Sequence, residues 1–440
     1  MEKKLFIQLL CVVIGFGGLY KVSSADETLY ELYIRGLQYD DSYIQTISQL
    51  QIDGLDLSSS NSKFFPTISS SIYQIETEST SKGPTQSVTS DGRYSSSGYE
   101  IRVNQVIYDQ ALLNQAESDR LKKNALAYKL QISQQELIMQ VANAYWSVLE
   151  ALQALKEEQA RHDLYQLLYE QAKNRKAQGI ASTNEFNQIE SEALEQEYQT
   201  DLAINNYELA VSELYQKTLF EYQKDDNHES DLTQCNVLHF PKPDNDDYLE
   251  IALANNQELN LYREELKAFQ QERKAKRSAY LPTLNLSVDY SNSDQVGGSF
   301  DGSETNRTQA KLSLDWPIYL GGQRSIDVKR SVTQLGAQQR KVELYIPKLK
   351  RKLDFILKQI EIREKSLEAI EYSEKQISKK YRRMIDEVAI GSITQTDALQ
   401  VSVDVKRLLS KKVSACKNLV LNQLELMKIL GVLDAQQLMK

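Results

Sequence analysis

The chain has 440 residues, of which 41% are apolar, and a formal net charge of −9 at pH 7. A chain of this length normally contains two or three globular domains. The low apolar share and only 7 prolines favour long helices with narrow apolar stripes over thick cores. The acidic balance argues against nucleic acid and anionic membrane surfaces as partners.

The first 25 residues have the order of a secretory signal peptide. Two lysines precede an apolar stretch over residues 5–19, and small residues follow as far as Ala25. We expect cleavage after Ala25. The alternative, an N-terminal membrane anchor, is less favoured because the stretch is shorter than the ~20 residues of a spanning helix. No later window holds 18 consecutive apolar residues, so an exported chain is either soluble outside the cytoplasm or enters a membrane as a β-barrel.

One sequence plan occurs twice, at a spacing of about 212 residues, and internal repeats outrank other sequence signals. In both copies an alternating apolar/polar run leads into a long helical pattern. Three pairs of landmarks define the repeat: Ile107-Tyr108 and Ile318-Tyr319, Gly179 and Gly391, and Leu214 and Leu426. We therefore expect two pseudo-symmetric halves.

Each half is predicted to contain three helical stretches. The first covers residues 27–62 and 246–280 and ends before Pro66 and Pro282, because the residue before a proline is pushed out of the helical region. The second covers about 70 residues, 109–178 and 320–390, or about 100 Å at 1.5 Å per residue. The third begins after Ser182 or Thr183 in one half and Thr394 in the other, which are expected N-caps, and runs to about residues 217 and 430.

The long stretches have heptad apolar spacing, which predicts packing of the coiled-coil type. Pro347 lies within the second of them and lacks an amide donor, so we expect a kink or a break there. The heptad positions are Leu130, Leu137, Ala144 and Ala151 in the first half, and Ile346, Leu353, Ile360 and Leu367 in the second.

Period-two alternation predicts four strands, two in each half. Residues 284–290 and 310–316 alternate clearly, residues 99–104 do so too, and residues 68–75 do so weakly. One face of each strand is expected to be exposed to water, and the other is expected to contact either a protein core or lipid. The polar segments 76–93 and 291–306 are expected to be exposed loops. This is the outer-membrane barrel signature. Four strands cannot close a barrel, whereas two chains supply eight strands and three supply twelve, so we expect a homo-oligomer.

The sequence offers no catalytic site, cofactor site or metal site. His162, His228 and His239 are not spaced as metal ligands, and we expect them to be solvated. We predict that the chain is not an enzyme. Cys235 and Cys416 remain after cleavage, and one disulfide and two free thiols are equally consistent with the sequence.

The two glycine landmarks are expected to be the tips of helical hairpins, in residues 175–188 and 384–400. Glu185 and Asp397 lie in the first turn after the caps, where a carboxylate suits the helix dipole. The other interpretation is that oligomer symmetry gathers these acids into a ring that filters ions in a pore.

The combined arrangement resembles the outer-membrane factor family, the TolC-like exit ducts of efflux pumps and type I secretion systems. The resemblance covers nearly the whole mature chain. It rests on the junctions at Pro66 and Pro282, the helix starts at Tyr108 and Tyr319, and the tips Gly179-Ser182-Glu185 and Gly391-Thr394-Asp397.

The resemblance implies a trimer with a twelve-stranded barrel in the outer membrane and a helical tunnel across the periplasm. It implies that the tips, with Arg175, Gly179, Ser182, Gly391 and Thr394, dock onto a periplasmic adaptor tied to an inner-membrane transporter of RND, ABC or MFS type. No cofactor is implied.

The resemblance also assigns Asp397 to the pore constriction. Gln400 stands where the family has a second aspartate, and Glu387 stands at the place equivalent to Arg175. A double acidic ring and the closing network of the family are therefore carried over only in part.

We expect a mainly α fold with a membrane β-barrel, built from two tandem repeats of helix, strand, strand, long helix and helix. The expected boundaries are 1–25 signal peptide, 26–221 first repeat, 222–246 linker, 247–432 second repeat and 433–440 tail. The alternatives are a periplasmic coiled-coil adaptor or an adhesin without its own barrel, and a porin with large periplasmic helices that needs no adaptor.

Overall fold

The same order of elements occurs twice in this computed structural model, which describes residues 29–82, 89–222, 245–297 and 302–435. The predicted signal peptide, most of the predicted linker and the end of the tail lie outside these ranges. The first set is α1 (Leu29–Tyr39), α2 (Asp41–Ser62), β1 (Thr67–Lys82), β2 (Thr89–Tyr108), α3 (Gln110–Ala177) and α4 (Thr183–Thr218). The second is α5 (Asn245–Asn255), α6 (Gln257–Ser278), β3 (Thr283–Val296), β4 (Ser303–Asp315), α7 (Gln323–Ala389) and α8 (Gln395–Leu430).

Two very long helices dominate the molecule. Helix α3 has 68 residues and α7 has 67, so each is about 100 Å long. Helix α3 packs on α4 and on α8, and α7 packs on α8. The four helices therefore lie in the order α4, α3, α8, α7, with α4 and α7 at the outer ends of the row.

Burial confirms most of the heptad prediction, although Leu130, Ala151 and Ile346 are only partly buried. Leu137 and Ala144 of α3 are buried, as are Leu353, Ile360 and Leu367 of α7. The second group joins the main apolar cluster together with residues of α8 such as Leu419 and Leu426. Burial of these stripes holds the long helices together, because each buried side chain removes apolar surface from water.

The predicted break at Pro347 does not occur, since α7 runs through this residue from Gln323 to Ala389. The carbonyl of Glu343 has no helical amide partner because Pro347 lacks an N–H. Both residues lie on the exposed side of the helix, where water can donate to this carbonyl instead. Leu349 and Leu353 on the opposite side are 2% exposed. Burial just beyond the proline keeps the helix continuous.

The first helical stretch of each half is divided in two, by a break that the sequence pattern did not predict. Asp40 separates α1 from α2, and Asn256 separates α5 from α6. Each caps the helix that follows, through its side chain and the backbone amide of Tyr43 or Leu259. Neither residue is a proline or glycine, so only the capping preference of Asp and Asn marks these positions.

The four strands form a single antiparallel sheet in the order β1-β2-β3-β4. Strand β2 pairs with β3, so the sheet joins the two halves of the chain, and Val103 lies opposite Val288 in this pair. The register shifts between Val106 and Tyr108, where β2 approaches its helix. Within the chain, β1 and β4 are the two edges of the sheet.

The loops predicted over 76–93 and 291–306 are shorter than expected. Strand β1 continues to Lys82, β2 begins at Thr89, β3 continues to Val296 and β4 begins at Ser303. The strands have 16, 20, 14 and 13 residues, not about ten. Main-chain pairing needs no apolar side chain, and the Ser and Thr residues in these segments are compatible with strands that extend into water.

Of the helices that the structure describes, none combines the length and apolar character that a membrane-spanning helix requires. Cys416 is 2% exposed and takes part in a disulfide. Cys235 lies outside the described residues.

Candidate functional site

One face of the sheet is apolar and uncovered by the rest of the chain. Ile68, Val103, Val288 and Ala310 are paired across the four strands, so their side chains share one face. Ile72 on the same face is 86% exposed. The pairs Leu284–Leu314 and Leu286–Leu312 extend this face toward the helices.

The opposite face carries charged and polar side chains. Arg102 of β2 forms ion pairs with Asp289 of β3 and with Glu100, and Lys311 of β4 lies on the same face by register. A sheet that is apolar on one face and charged on the other fits between lipid and water.

Aromatic residues lie where the strands meet the helices. Tyr108 ends β2, and Tyr319 and Trp316 follow β4, with exposures of 43%, 81% and 61%. The indole N–H of Trp316 donates to the carbonyl of Tyr280 at 3.0 Å, which closes the junction next to Pro282. Such amphipathic rings are enriched at membrane interfaces.

The junction at Pro66 has the same construction in the first half. Helix α2 ends at Ser62 and β1 begins at Thr67, so the Pro66 and Pro282 boundaries are where the sequence predicts them. The side-chain amide of Gln105 donates from Nε2 to the carbonyl of Phe64 at 2.8 Å, and this bond ties the junction to β2.

Gly179 and Gly391 end the long helices in the same way. Both have positive φ, +72° and +73°, a conformation that L side chains rarely adopt. In the first tip, Ile180 N–H donates to Arg175 C=O at 2.9 Å and Gly179 N–H to Lys176 C=O at 3.0 Å. The second tip repeats this Schellman pattern. A Cβ at either glycine meets nothing within 4 Å, so backbone conformation alone requires glycine here.

The predicted N-caps are confirmed. Ser182 accepts from the amide of Glu185 at 3.1 Å, and Thr394 accepts from the amide of Asp397 at 3.2 Å. The Asp397 carboxylate in turn accepts from Thr394 Oγ1 at 2.6 Å and from the Thr394 amide at 3.2 Å. These hydrogen bonds hold the pKa of Asp397 below its ordinary value. Asp397 thus lies in the first turn, as the helix-dipole interpretation requires, and it also completes a capping box with Thr394.

The two tips differ in charge. Arg175 forms an ion pair with Glu185 at 3.0 Å across the first hairpin. The equivalent positions in the second hairpin are Glu387 and Asp397, which carry like charges. The described structure therefore places Arg175 and Glu185 together, and the second tip has no counterpart of this pair. Gln400 is exposed, one turn above Asp397.

The first tip also contains an aromatic contact that the sequence pattern did not identify. Lys176 Nζ lies 3.9 Å from the centroid of the Phe186 ring, and the Tyr169 ring lies 5.7 Å from that of Phe186. Phe186 is 9% exposed. The sequence feature that could have indicated this contact is a single Phe in a polar segment just after the helix cap.

The two hairpins meet near their tips. The side-chain amide of Gln171 in α3 donates to Thr396 Oγ1 in α8 at 3.1 Å. Because Gln171 precedes Gly179 by about two turns and Thr396 follows Gly391 by about one turn, the two tips lie at nearly the same level.

Among the described residues, no group of three His, Cys, Asp or Glu side chains is arranged to hold a metal ion. His162 lies on α3, where it is partly buried and its Nδ1 atom is buried, so it is not fully solvated as predicted. His228 and His239 lie outside the described ranges.

Comparison with known proteins agrees with this geometry. The family profile described as "Outer membrane efflux protein" matches residues 248–432. The outer membrane protein TolC of Salmonella enteritidis is 26% identical over 326 residues, and that of Escherichia coli strain K12 is 25% identical over 328 residues. Each alignment covers 70% of this chain but only 64% of the relative, just under two thirds of its length.

The chain is similar to the outer membrane efflux protein family over residues 248–432 and to the TolC proteins over most of its length.

Solved structures of outer-membrane channels share its fold. The Campylobacter jejuni channel CmeC matches with a TM-score of 0.71 at 13% identity, covering 96% of this chain and 93% of that one. VceC from Vibrio cholerae matches with a TM-score of 0.68 at 12% identity, covering 92% and 96%. The TolC relatives and the channel VceC are outer membrane proteins, which supports the predicted outer-membrane location. The curated relatives are described as outer membrane proteins, and CmeC is described as an outer membrane channel.

Proposed function

We propose that this chain is the outer-membrane exit duct of a tripartite efflux pump or type I secretion system. Substrates pass through it without chemistry, from an adaptor and inner-membrane transporter across the periplasm and the outer membrane. The observation that carries the proposal is the sheet, with one uncovered apolar face and one charged face, joined directly to helices about 100 Å long.

Three copies forming one twelve-stranded barrel account for the open sheet. Strands β1 and β4 have unpaired edges within one chain, and such edges need a partner. Ile68 and Ile72 of β1, and Leu312 and Leu314 of β4, are 65–86% exposed. Three sheets placed edge to edge pair every edge and turn the apolar face toward lipid. In this arrangement Pro66, Tyr108, Pro282 and Tyr319 mark the level where barrel becomes tunnel.

The long helices then form the wall of a periplasmic tunnel, and the tips are its far end. Arg175, Gly179, Ser182, Gly391 and Thr394 shape the two tips and present exposed apolar residues beside the glycines. Ile180 is 64% exposed and Ile390 is 79% exposed. These surfaces suit docking to the hairpin of a periplasmic adaptor, which connects the duct to a transporter of RND, ABC or MFS type.

The exposed Asp397 is the best candidate for a pore constriction. Its capping bonds keep it ionised and fix its position at the second tip. Threefold symmetry brings three copies of Asp397 around one axis, where they favour cations. Gln400 one turn above contributes no charge, and Glu185 is engaged by Arg175, so a single ring is expected.

We propose for this duct the domain boundaries predicted from the sequence: a signal peptide over 1–25, repeats over 26–221 and 247–432, a linker over 222–246 and a tail over 433–440. Neither an adaptor nor an adhesin finds support among the relatives, which are outer-membrane proteins.

Photo-crosslinking at the tips tests the docking proposal. A photoreactive amino acid at Ile180 or Ile390 should crosslink to a periplasmic adaptor in cells. The matched control is Leu55 on α2, which is 72% exposed but far from the tips. Crosslinks from Leu55 and from neither tip would contradict docking at the tips.

Deletion of the chain tests the export proposal. Cells without it should accumulate an efflux dye or lose a secreted polypeptide, and the intact chain should restore the wild-type level. Unchanged accumulation and secretion across both assays would contradict an exit duct.

A further inference from the structure

The two outer helices of the row, α4 and α7, each carry an exposed stripe opposite their buried face. On α7 the stripe has alternating steps of three and four residues over about eleven turns, as in a coiled-coil seam. None of its members is buried and none is acidic. It consists of Leu344, Lys348, Arg351, Phe355, Lys358, Ile362, Lys365, Ala369, Tyr372, Gln376, Lys379 and Arg383. We call it the α7 stripe.

Helix α4 carries the corresponding feature. Its buried side faces α3 through small residues such as Ala203 and Ala210, and the opposite side is exposed with steps of three and four residues. Tyr198 is 60% exposed and Leu209 is 57% exposed. The α4 stripe consists of Glu195, Tyr198, Leu202, Asn205, Leu209 and Ser212.

The charges of the two helices are opposite. Helix α4 has one base, Lys217, and eight acids, whereas α7 has 17 bases and 10 acids. Six of the bases lie on the α7 stripe itself. The acids beside or on the α4 stripe, Glu195, Asp201, Glu208 and Glu213, form no ion pair with any described residue, and on the α7 stripe only Lys365 forms one, with Glu361 of its own helix.

The positions along the helices also match. Tyr198 on α4 and Tyr372 on α7 are equally far along the chain from Gly179 and Gly391, the glycines of their own tips. Leu209 and Ile362 lie farther from the tips, and their separations along the chain from Gly179 and Gly391 again agree to within one residue. Because the two tips lie at nearly the same level, equal spacing from the glycines means equal height on the wall.

The charged residues fall at comparable heights. Counted from the glycine of its own tip, Glu213 matches Lys358, Glu208 matches Lys365 and Glu195 matches Lys379. The largest offset within a pair is about four residues, or about 6 Å of helix rise, which a lysine side chain spans. Helix α4 begins at its tip, whereas α7 ends at its tip. The two chain directions are therefore opposite, so the helices are suited to antiparallel packing.

In the proposed duct, α4 at one end of the row meets α7 of the neighbouring copy, and the two stripes form the seam between copies. We propose that the acids of α4 and the bases of α7 make this seam selective for copies of this same chain, and we call this complementary arrangement the charge code. The inference rests on the proposed function for the number of copies and for the seam, and it adds the charge code. A rim of opposite charges contributes mainly to specificity and to encounter rate, while the apolar residues between them supply the burial.

Cysteine crosslinking tests the pairing of the stripes. In the Tyr198→Cys, Tyr372→Cys double variant, a short bismaleimide should link neighbouring subunits of the assembled protein into covalent dimers and trimers. Each single variant is the control and should give no such ladder. An assembled double variant without covalent oligomers would overturn the proposed seam while leaving the exit duct intact.

A charge swap tests the selectivity. The swapped chain combines Glu195→Lys, Glu208→Lys and Glu213→Lys with Lys358→Glu, Lys365→Glu and Lys379→Glu, which preserves attraction within its own oligomers. When it is coexpressed with the wild-type chain under a second tag, mixed oligomers should fall about tenfold. The Lys350→Glu, Lys375→Glu, Lys380→Glu variant reverses three exposed bases of α7 outside the stripe and should mix freely.

The outcomes separate the hypotheses. Segregation of the swapped chain supports the charge code, and free mixing of assembled swapped and wild-type chains overturns it. If the swapped chain does not assemble, its substitutions can be divided between two chains. One chain carries only the three α4 substitutions and the other only the three α7 substitutions. These two chains should assemble with each other better than either does with itself, which provides the same test. If no oligomer of the wild-type chain is found, the proposed duct fails together with the seam.

Discussion

The joint between α1 and α2 offers a direct test of how each half of the chain is held together. Asp40 is buried there, with a side chain only 3% exposed. Its carboxylate accepts hydrogen bonds from Ser42 Oγ at 2.5 Å, the Tyr43 amide at 2.7 Å and Lys217 Nζ at 2.9 Å. Lys217 stands at the end of α4, so this ion pair ties the returning helix to the start of the same half.

The Asp40→Asn variant removes the charge and keeps the cap, because Asn caps helices as well as Asp. A hydrogen bond to a charged group contributes about 1.5–3 kcal/mol, and loss of one partner of a fully buried pair costs about 3–5 kcal/mol. Lys217 is 32% exposed and also bonds to Gln140 Oε1 at 2.9 Å, so it is not stranded. We expect a cost of about 2 kcal/mol to local opening of the joint.

The cost should depend on pH. Burial alone raises the pKa of Asp40, but the hydrogen bonds from Ser42, Lys217 and Tyr43 and the charge of Lys217 outweigh burial and hold it below the ordinary value of 3.8. A lowered pKa in the folded state gives stability that is present above about pH 4 and is lost as the pH falls through the folded pKa. The difference between wild type and Asp40→Asn should therefore shrink below about pH 4.

Hydrogen–deuterium exchange of peptides covering residues 36–46 measures opening of this joint directly. The matched contrast is the second joint, where Asn256 already performs the same role with a neutral amide, donating to Ile429 C=O at 2.8 Å. In the Asp40→Asn variant, exchange over residues 252–262 should be unchanged. Equal protection of residues 36–46 in both proteins at pH 7 would refute the proposed role of the ion pair.

The tips and the wall of helices give three further predictions. Replacing Gly179 or Gly391 with Leu forces a residue with a side chain into positive φ, at a cost of about 1–2 kcal/mol. Either variant should impair export in an efflux assay while the level of the protein in the outer-membrane fraction is retained. Normal export by both variants would count against docking at the tips. Asp397→Asn should reduce the cation preference of the pore in a planar bilayer, and unchanged selectivity would leave Asp397 as a helix cap only. Lys412 of α8 is 5% exposed and donates to Glu374 of α7 at 2.9 Å. Lys412→Met should destabilise the second hairpin by about 3 kcal/mol, because the Glu374 carboxylate loses its partner. Hydrogen–deuterium exchange in residues 365–420 should become faster, and protection equal to wild type would contradict this.

Most of the fold was predictable because its signals are local and occur twice. The apolar heptads of α3 and α7, the prolines before β1 and β3 and the Gly-x-x-Ser/Thr tips each specify backbone geometry through residues close in sequence. The same holds for the caps Ser182 and Thr394, which lie where the sequence places them.

The remaining features depend on contacts distant in sequence. The break at Asp40 is fixed by Lys217 at the far end of the same half, and that at Asn256 by the end of α8. The continuity of α7 through Pro347 depends on burial of Leu349 and Leu353 against other helices. The outer ends of the strands are polar, and only pairing with a neighbouring strand identifies them as strands. The contact between Lys176 and Phe186 requires the folded hairpin.

The most direct test of the account is the mass and shape of the detergent-extracted protein from an outer-membrane fraction, measured by mass photometry and negative-stain imaging. We predict an elongated particle of three mature chains with a tube well over about 100 Å long, as the lengths of α3 and α7 require. A monomer or dimer that stays in solution without detergent would contradict both the barrel and the exit duct.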